Sequence, residues 1–184
     1  TGEWHSPRFV PQYLTTLHYR LAAFDETWSI EVVPKRLDFS KFYAVPNELY
    51  ITVLGGSFEA EYPTATNGTA TDGANGTATD PTPTPTAPAD GGVWAVMRVD
   101  VRNRRQESQV APPASSFVLE ADGERRPQHQ EVTDTPYEGG ELAGRTVRRG
   151  DLVYAVPAGT RARDLRMTWE QSFPKGDVKA IWTK

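Results

Sequence analysis

The sequence predicts an all-β protein: an antiparallel β-sandwich, immunoglobulin-like or jelly-roll in kind, with an extended N-terminal arm. Three observations carry that reading. Apolar and polar residues alternate with period two in several separate segments. Gly- and Pro-rich turn signals divide those segments. An apolar stripe at helical spacing is almost absent, which favours sheet layers over helical ones. The 184 residues suit a single domain, 1–184, with an arm at 1–13 and a low-complexity insertion at 63–92.

The arm, TGEWHSPRFVPQY, is extended because Pro7 and Pro11 break regular structure. It carries Trp4, Phe9 and Tyr13. Such aromatics either pack back on their own domain or dock on a neighbouring subunit, where aromatics and Arg are enriched. An arm donated to an open sheet edge would add a strand. Next, Leu17, Tyr19, Leu21 and Ala23 alternate with polar or small residues, and Asp25 to Thr27 turns the chain into Trp28, Ile30 and Val32. That reads as a hairpin. Tyr13, Leu17, Leu21 and Phe24 also share one helical face, so a short helix competes.

Leu49, Ile51 and Val53 form the apolar set of a further strand. Gly55-Gly56 interrupts it as a bulge or kink before Phe58, Ala60 and Tyr62 resume. Beyond the insertion, Val93, Ala95, Met97, Val99 and Val101 alternate with Arg98, Asp100 and Arg102, giving a strand with one buried face. Phe117 and Leu119 precede the Asp122-Gly123 turn signal. Leu152, Tyr154 and Val156 form a strand stopped by Pro157 and Gly159, Leu165, Met167 and Trp169 another, and 178–182 closes the chain.

The insertion repeats one motif, NGTATD, at 67–72 and 75–80, then places Pro81, Pro83, Pro85 and Pro88 among Thr and Ala. It has too little apolar surface to offset the entropy of ordering. Alternating Pro favours a solvated polyproline II conformation. Asn67 and Asn75 each begin an Asn-Gly-Thr glycosylation acceptor. The tract is therefore a tolerated surface insertion or a glycan-bearing outward loop. A calcium loop is disfavoured, because Ala74 stands at a ligand position and no Glu closes the motif.

Composition narrows the function. A net charge of −4 argues against a nucleic-acid binder. No run approaches the ~20 apolar residues of a membrane span. Without cysteine there is no disulfide or thiolate chemistry. The chain begins at Thr1, which fits removal of either an initiator Met or a targeting segment. No zinc-protease helix, phosphate loop or nucleophile elbow occurs, since Gly55-Gly56-Ser57 lacks the second flanking glycine. His5, His18 and His129 are too scattered to read as a metal site. Ser115, His129 and Asp134 can be written as a triad, but only geometry would support one. Glu138 and Glu141 sit in a Gly-rich loop as solvated carboxylates. No catalytic residue, metal or cofactor is expected.

Fifteen of the twenty basic residues are Arg, clustered at strand ends, among them Arg104, Arg105, Arg148 and Arg149. Arg is the residue of bidentate pairs and interfaces. Low Lys with abundant Asp, Glu and Thr also suits a halophilic microbe. The clusters read as solvated strand ends, as a face that pairs with acidic neighbours, or as a polyanion-binding face.

Three segments resemble a known family: GVWAVMRVDVRN at 92–103, FVLEADG at 117–123 and GELAGRTVRRGDLVYAVP at 140–157. Over residues 49–169 the chain is similar to the telokin-like, immunoglobulin-like extracellular domain of unknown function found in prokaryotic secreted proteins and lipoproteins. That resemblance implies an extracellular, non-enzymatic module. The expected function is thus a structural subunit of a surface layer, filament or virion shell. It would associate with itself or with other surface or virion proteins through Trp4, Phe9, Tyr13 and the four arginines. A monomeric surface-anchored or secreted binding module is the alternative.

Overall fold

The computed structural model describes Tyr13 and residues 16–21, 26–46, 49–63 and 85–184. Trp4, Phe9, Asn67 and Asn75, with most of the arm and of the insertion, lie outside the described residues. Strands run β1 Thr16–Leu21, β2 Glu26–Glu31, β3 Lys35–Asp38, β4 Phe42–Ala44, β5 Leu49–Glu59, β6 Tyr62–Pro63, β7 Pro85–Thr86 and β8 Val93–Asn103. Then come β9 Gln109–Ala111, β10 Phe117–Ala121, β11 Glu124–Arg125, β12 Gly140–Leu142, β13 Val147–Val156, β14 Leu165–Phe173 and β15 Gly176–Thr183. Short 3-10 turns occur at Ala114–Ser116, Gln130–Val132 and Ala162–Asp164, and no α-helix forms among the described residues.

The fold is the expected antiparallel β-sandwich. One sheet has the order β11-β10-β14-β15-β3, the other β13-β8-β5-β4. In the first sheet β3 pairs parallel with β15, so Leu37 lies opposite Trp182. Odd residues of β8 meet even residues of β13, and Met97, Val99, Leu152 and Tyr154 are all buried. From the other sheet, Leu119, Met167, Trp169 and Trp182 fill the space between. The indole N–H of Trp182 donates to the Lys41 carbonyl at 2.8 Å.

β1 and β2 pair antiparallel from Thr16↔Glu31 to Leu21↔Glu26, so the hairpin forms and the competing helix does not. β5 is bulged where expected. Its register on β8 shifts between Val53 and Gly56, with Gly55 at φ +89°, a conformation that favours glycine. The bulge reverses parity: Val53 is opposite Val99, whereas Phe58 is opposite Ala95. Both therefore face the core from positions of opposite parity. Asp122 (φ 55°) and Gly123 (φ 81°) make the tight β10–β11 turn.

The insertion is pinned at both ends, where Tyr62–Pro63 pairs with Pro85–Thr86. Pro88 is buried and its carbonyl accepts from Gly91 at 3.2 Å. The last residues of the tract as read from the sequence are thus built into the domain.

The strip from Arg126 to Tyr137 was not legible as structure. It wraps the free edge of β13. His129 N–H donates to Val153 O at 2.8 Å, Asp151 N–H to Thr135 O at 2.8 Å, and Tyr137 N–H to Asp151 O at 2.9 Å. On the outer side Val132 joins Trp94, Val96 and Val153 in a second apolar cluster. This explains why Trp94 and Val96, on the polar parity of β8, are buried. On the inner side Tyr137 enters the main core edge-on to Phe117, and its hydroxyl donates to Pro112 O at 2.9 Å.

Burial has a consequence at high pH. It pushes the Tyr43 hydroxyl up to about 12, helped by Tyr13, and raises Tyr137 and Tyr154 further. A raised folded-state pKa leaves stability intact below the unfolded value of about 10 and removes it as pH climbs above. Urea midpoints are expected to stay flat to about pH 10 and then fall. A midpoint unchanged at pH 11.5 would show that these hydroxyls ionise in place.

Candidate functional site

The outer face of the four-stranded sheet gathers aromatic and guanidinium groups at one end. Because odd residues of β8 face the core, Asp100 and Arg102 must face out. Two rows cross the strands there. One reads Ala44, Tyr50, Arg102, Val147, and the other Phe42, Thr52, Asp100, Arg149. Phe42 is 56% exposed and stacks on Tyr50 with ring centroids 4.8 Å apart. The Arg104 guanidinium lies 5.3 Å from the Tyr50 ring centre, a cation–π contact worth about 0.5–1 kcal/mol at an exposed site. A depression of about 270 Å³ is bounded by these groups together with Thr52, Asp100 and Arg102.

Charge on this face is not balanced. Arg149 Nε reaches Asp100 Oδ2 at 3.0 Å. Arg102 forms no ion pair among the described residues. The depression is thus bounded by two guanidinium groups, Arg102 and Arg104, and one carboxylate, Asp100, which Arg149 already engages. Farther along, Asp151 is buried and is held by Arg98 Nε at 3.1 Å and by the Thr135 hydroxyl at 2.8 Å.

The four arginines singled out in the sequence divide by role. Arg104 and Arg149 stand on the exposed face. Arg105 is exposed, and its backbone N–H donates to Asn103 Oδ1 at 2.9 Å. Arg148 takes the inner parity of β13, opposite Val101. Its guanidinium is used within the chain, donating to the carbonyls of Glu138, Gly139 and Glu141. Tyr13 packs edge-on to Phe173 at 6.3 Å, against the core.

Phe42 and Tyr50 were missed in the sequence. A signal existed for Tyr50: an aromatic standing at polar parity between Leu49 and Ile51. Phe42 sits in a three-residue strand too short to show alternation.

His129 Nδ1 pairs with Glu131 at 3.0 Å, and its ring lies edge-on to Trp94. Glu131's own backbone hydrogen bond, with help from His129, holds its carboxyl below the ordinary value, against the opposing effect of burial. Among the described residues no group of three or more His, Asp or Glu is placed to hold a metal ion. No helix among them is long and apolar enough to cross a membrane.

No family model and no curated protein matches the chain. Among solved structures it is similar to the yjhA protein from Bacillus subtilis, at 14% identity and a TM-score of 0.53, covering 79% of this chain and 97% of that one. It is also similar to MPT63, a secreted protein from Mycobacterium tuberculosis, at 14% identity and a TM-score of 0.50, covering 84% of this chain and 100% of that one. At such identities the likeness is one of fold: all three chains share a β-sandwich.

Proposed function

We propose that this chain is an extracellular, non-catalytic module that works by contact, associating with copies of itself in a surface assembly. The observation that carries the reading is the exposed Phe42–Tyr50–Arg104 stack, flanked by Arg102 and Arg149. Aromatic and Arg side chains are the usual anchors of interfaces. The extracellular part is supported by the resemblance of residues 49–169 to the telokin-like family and by the secreted protein that shares the fold. Glycans on Asn67 and Asn75 and contacts of Trp4 and Phe9 belong to the same proposal.

Sedimentation velocity of the wild type and of Phe42→Ser/Arg104→Glu tests it. The wild type is expected to associate reversibly in the micromolar range. The double variant should weaken association at least ~tenfold with little change in melting temperature, because both side chains are exposed. A wild type that stays monomeric at millimolar concentration removes self-assembly and leaves the monomeric binding module. Turnover of a generic ester, glycoside or phosphate substrate by the pure protein removes the non-catalytic part.

A further inference from the structure

We propose that a cleft at the opposite end of the same sheet binds a small carboxylate that carries a planar ring. This site is separate from the interaction surface, since Trp94 and Val156 stand at one end of β8 and β13 and Arg102 and Val147 at the other. The cleft measures about 390 Å³, at the lower end of small-molecule sites.

Its shape is held by backbone contacts and by one side-chain bond. Pro88 is buried beneath the turn that Gly91 closes on it. Gly92 runs so close to β13 that a Cβ there would lie 2.3 Å from Val156 O. On the other side, Gln128 Nε2 donates to the Tyr154 hydroxyl at 2.9 Å and His129 N–H to Val153 O at 2.8 Å. A ligand therefore meets a formed site and orders little on binding.

The lining sets the ligand's chemistry. Trp94, Ala155 and the rings of Pro88 and Pro157 give apolar walls. A flat ring fits such walls better than a polar chain, since burying unpaired hydroxyls there is costly. Besides the Asp90 carboxylate, two side chains offer polar atoms, Arg126 and His129. Arg126 spends Nη2 on Ala121 O and Glu124, both at 3.2 Å, while Nη1 has no partner among the described residues. His129 spends Nδ1 on Glu131 and leaves Nε2. A carboxylate matches the planar guanidinium edge. A phosphate dianion matches less well than a singly charged carboxylate, because the repulsion from Asp90, which lines the cleft, and from Glu124, which already shares the Arg126 charge, grows with each added negative charge.

Amide-resolved NMR titration of the full chain with benzoate, benzamide and acetate separates ring from charge. Benzoate is expected to move the amides of Gly91 to Trp94, of Arg126, Gln128 and His129, and of Ala155 and Val156. Its dissociation constant should be about a millimolar, the strength a ligand this small reaches. Benzamide, lacking the charge, and acetate, lacking the ring, should each bind at least ~tenfold more weakly. Arg126→Gln should lose ~tenfold or more. Ala155→Leu should fill the cleft and abolish binding while the rest of the spectrum stays in place. Benzamide binding as well as benzoate, shifts scattered over the surface, or no saturable shift at all would overturn the proposal. If Arg126→Gln unfolds, Ala155→Leu and the three probes still decide it.

Discussion

Replacing Asn103 by Asp is expected to cost about 3–5 kcal/mol, enough to unfold a protein of ordinary stability. Asn103 is 1% exposed at the end of β8. Its Nδ2 donates to Glu107 O at 2.8 Å, Leu142 O at 3.1 Å and Ala143 O at 3.2 Å, while Oδ1 accepts from Arg105 N–H at 2.9 Å. One side chain thus holds both the turn after β8 and the loop before β13. A carboxylate keeps the acceptor but puts an anionic oxygen among three carbonyls, with no donor to offset it. Asn103→Ala loses all four bonds but buries no charge and should cost about 2–3 kcal/mol. Urea unfolding of the three proteins tests the order. The buried charge is expected to neutralise on acidification, so the gap between the two variants should shrink at low pH. Equal losses for both at neutral pH would mean that water reaches the site.

The second large effect is expected at Gly150, where alanine should cost about 3 kcal/mol or more. Its φ is not positive, so the constraint is space. A Cβ there would lie 2.3 Å from Tyr137 Cα and 2.6 Å from Tyr137 N. Backbone cannot swing aside as a side-chain tip can. The strip around β13 must lift, losing the Tyr137 N–H bond to Asp151 O and drawing the Tyr137 ring out of the core. Gly159→Ala is the control. Gly159 has φ +86° with open space around it, so only conformational strain applies, about 1 kcal/mol. Melting temperatures, with hydrogen exchange at the amides of Asp151 and Tyr137, report both effects. Gly150→Ala losing no more than Gly159→Ala would mean that the strip is loosely held.

What the sequence revealed and what it hid follow from how each element is stabilised. β8, β13, β14 and β15 each turn one apolar set to the main core, so burial there imposes alternation that period-two reading recovers. The bulge at Gly55-Gly56 was legible because glycine marks the break and alternation resumes after it. The strip 126–137 was not. Its order comes from bonds to β13 and from two anchors, Val132 and Tyr137, and an irregular path leaves no period to detect. The candidate surface was half legible. Arginine clustering pointed to the right strand ends, yet the sequence alone did not separate Arg148, spent on carbonyls, from Arg149, which faces out. That separation depends on β13 parity together with the fold of the 138–141 loop. Phe42 and Tyr50 become neighbours only through the register of β4 on β5.

The wrapped edge of β13 also limits how copies of this chain can join. A sheet grows by offering unpaired N–H and C=O groups to a newcomer. Along β13 several of those groups are already taken by the chain itself. Elsewhere, β3 is four residues long and follows Pro34, and β4 is three residues long and is followed by Pro46. Neither offers a template long enough to seed a cross-β ribbon. Edge-to-edge growth of the two main sheets is thereby disfavoured, and copies joining through these sheets would meet through side chains on their broad faces. Such contacts are salt-sensitive and reversible, so a lattice of this chain should come apart in strong electrolyte with each unit still folded.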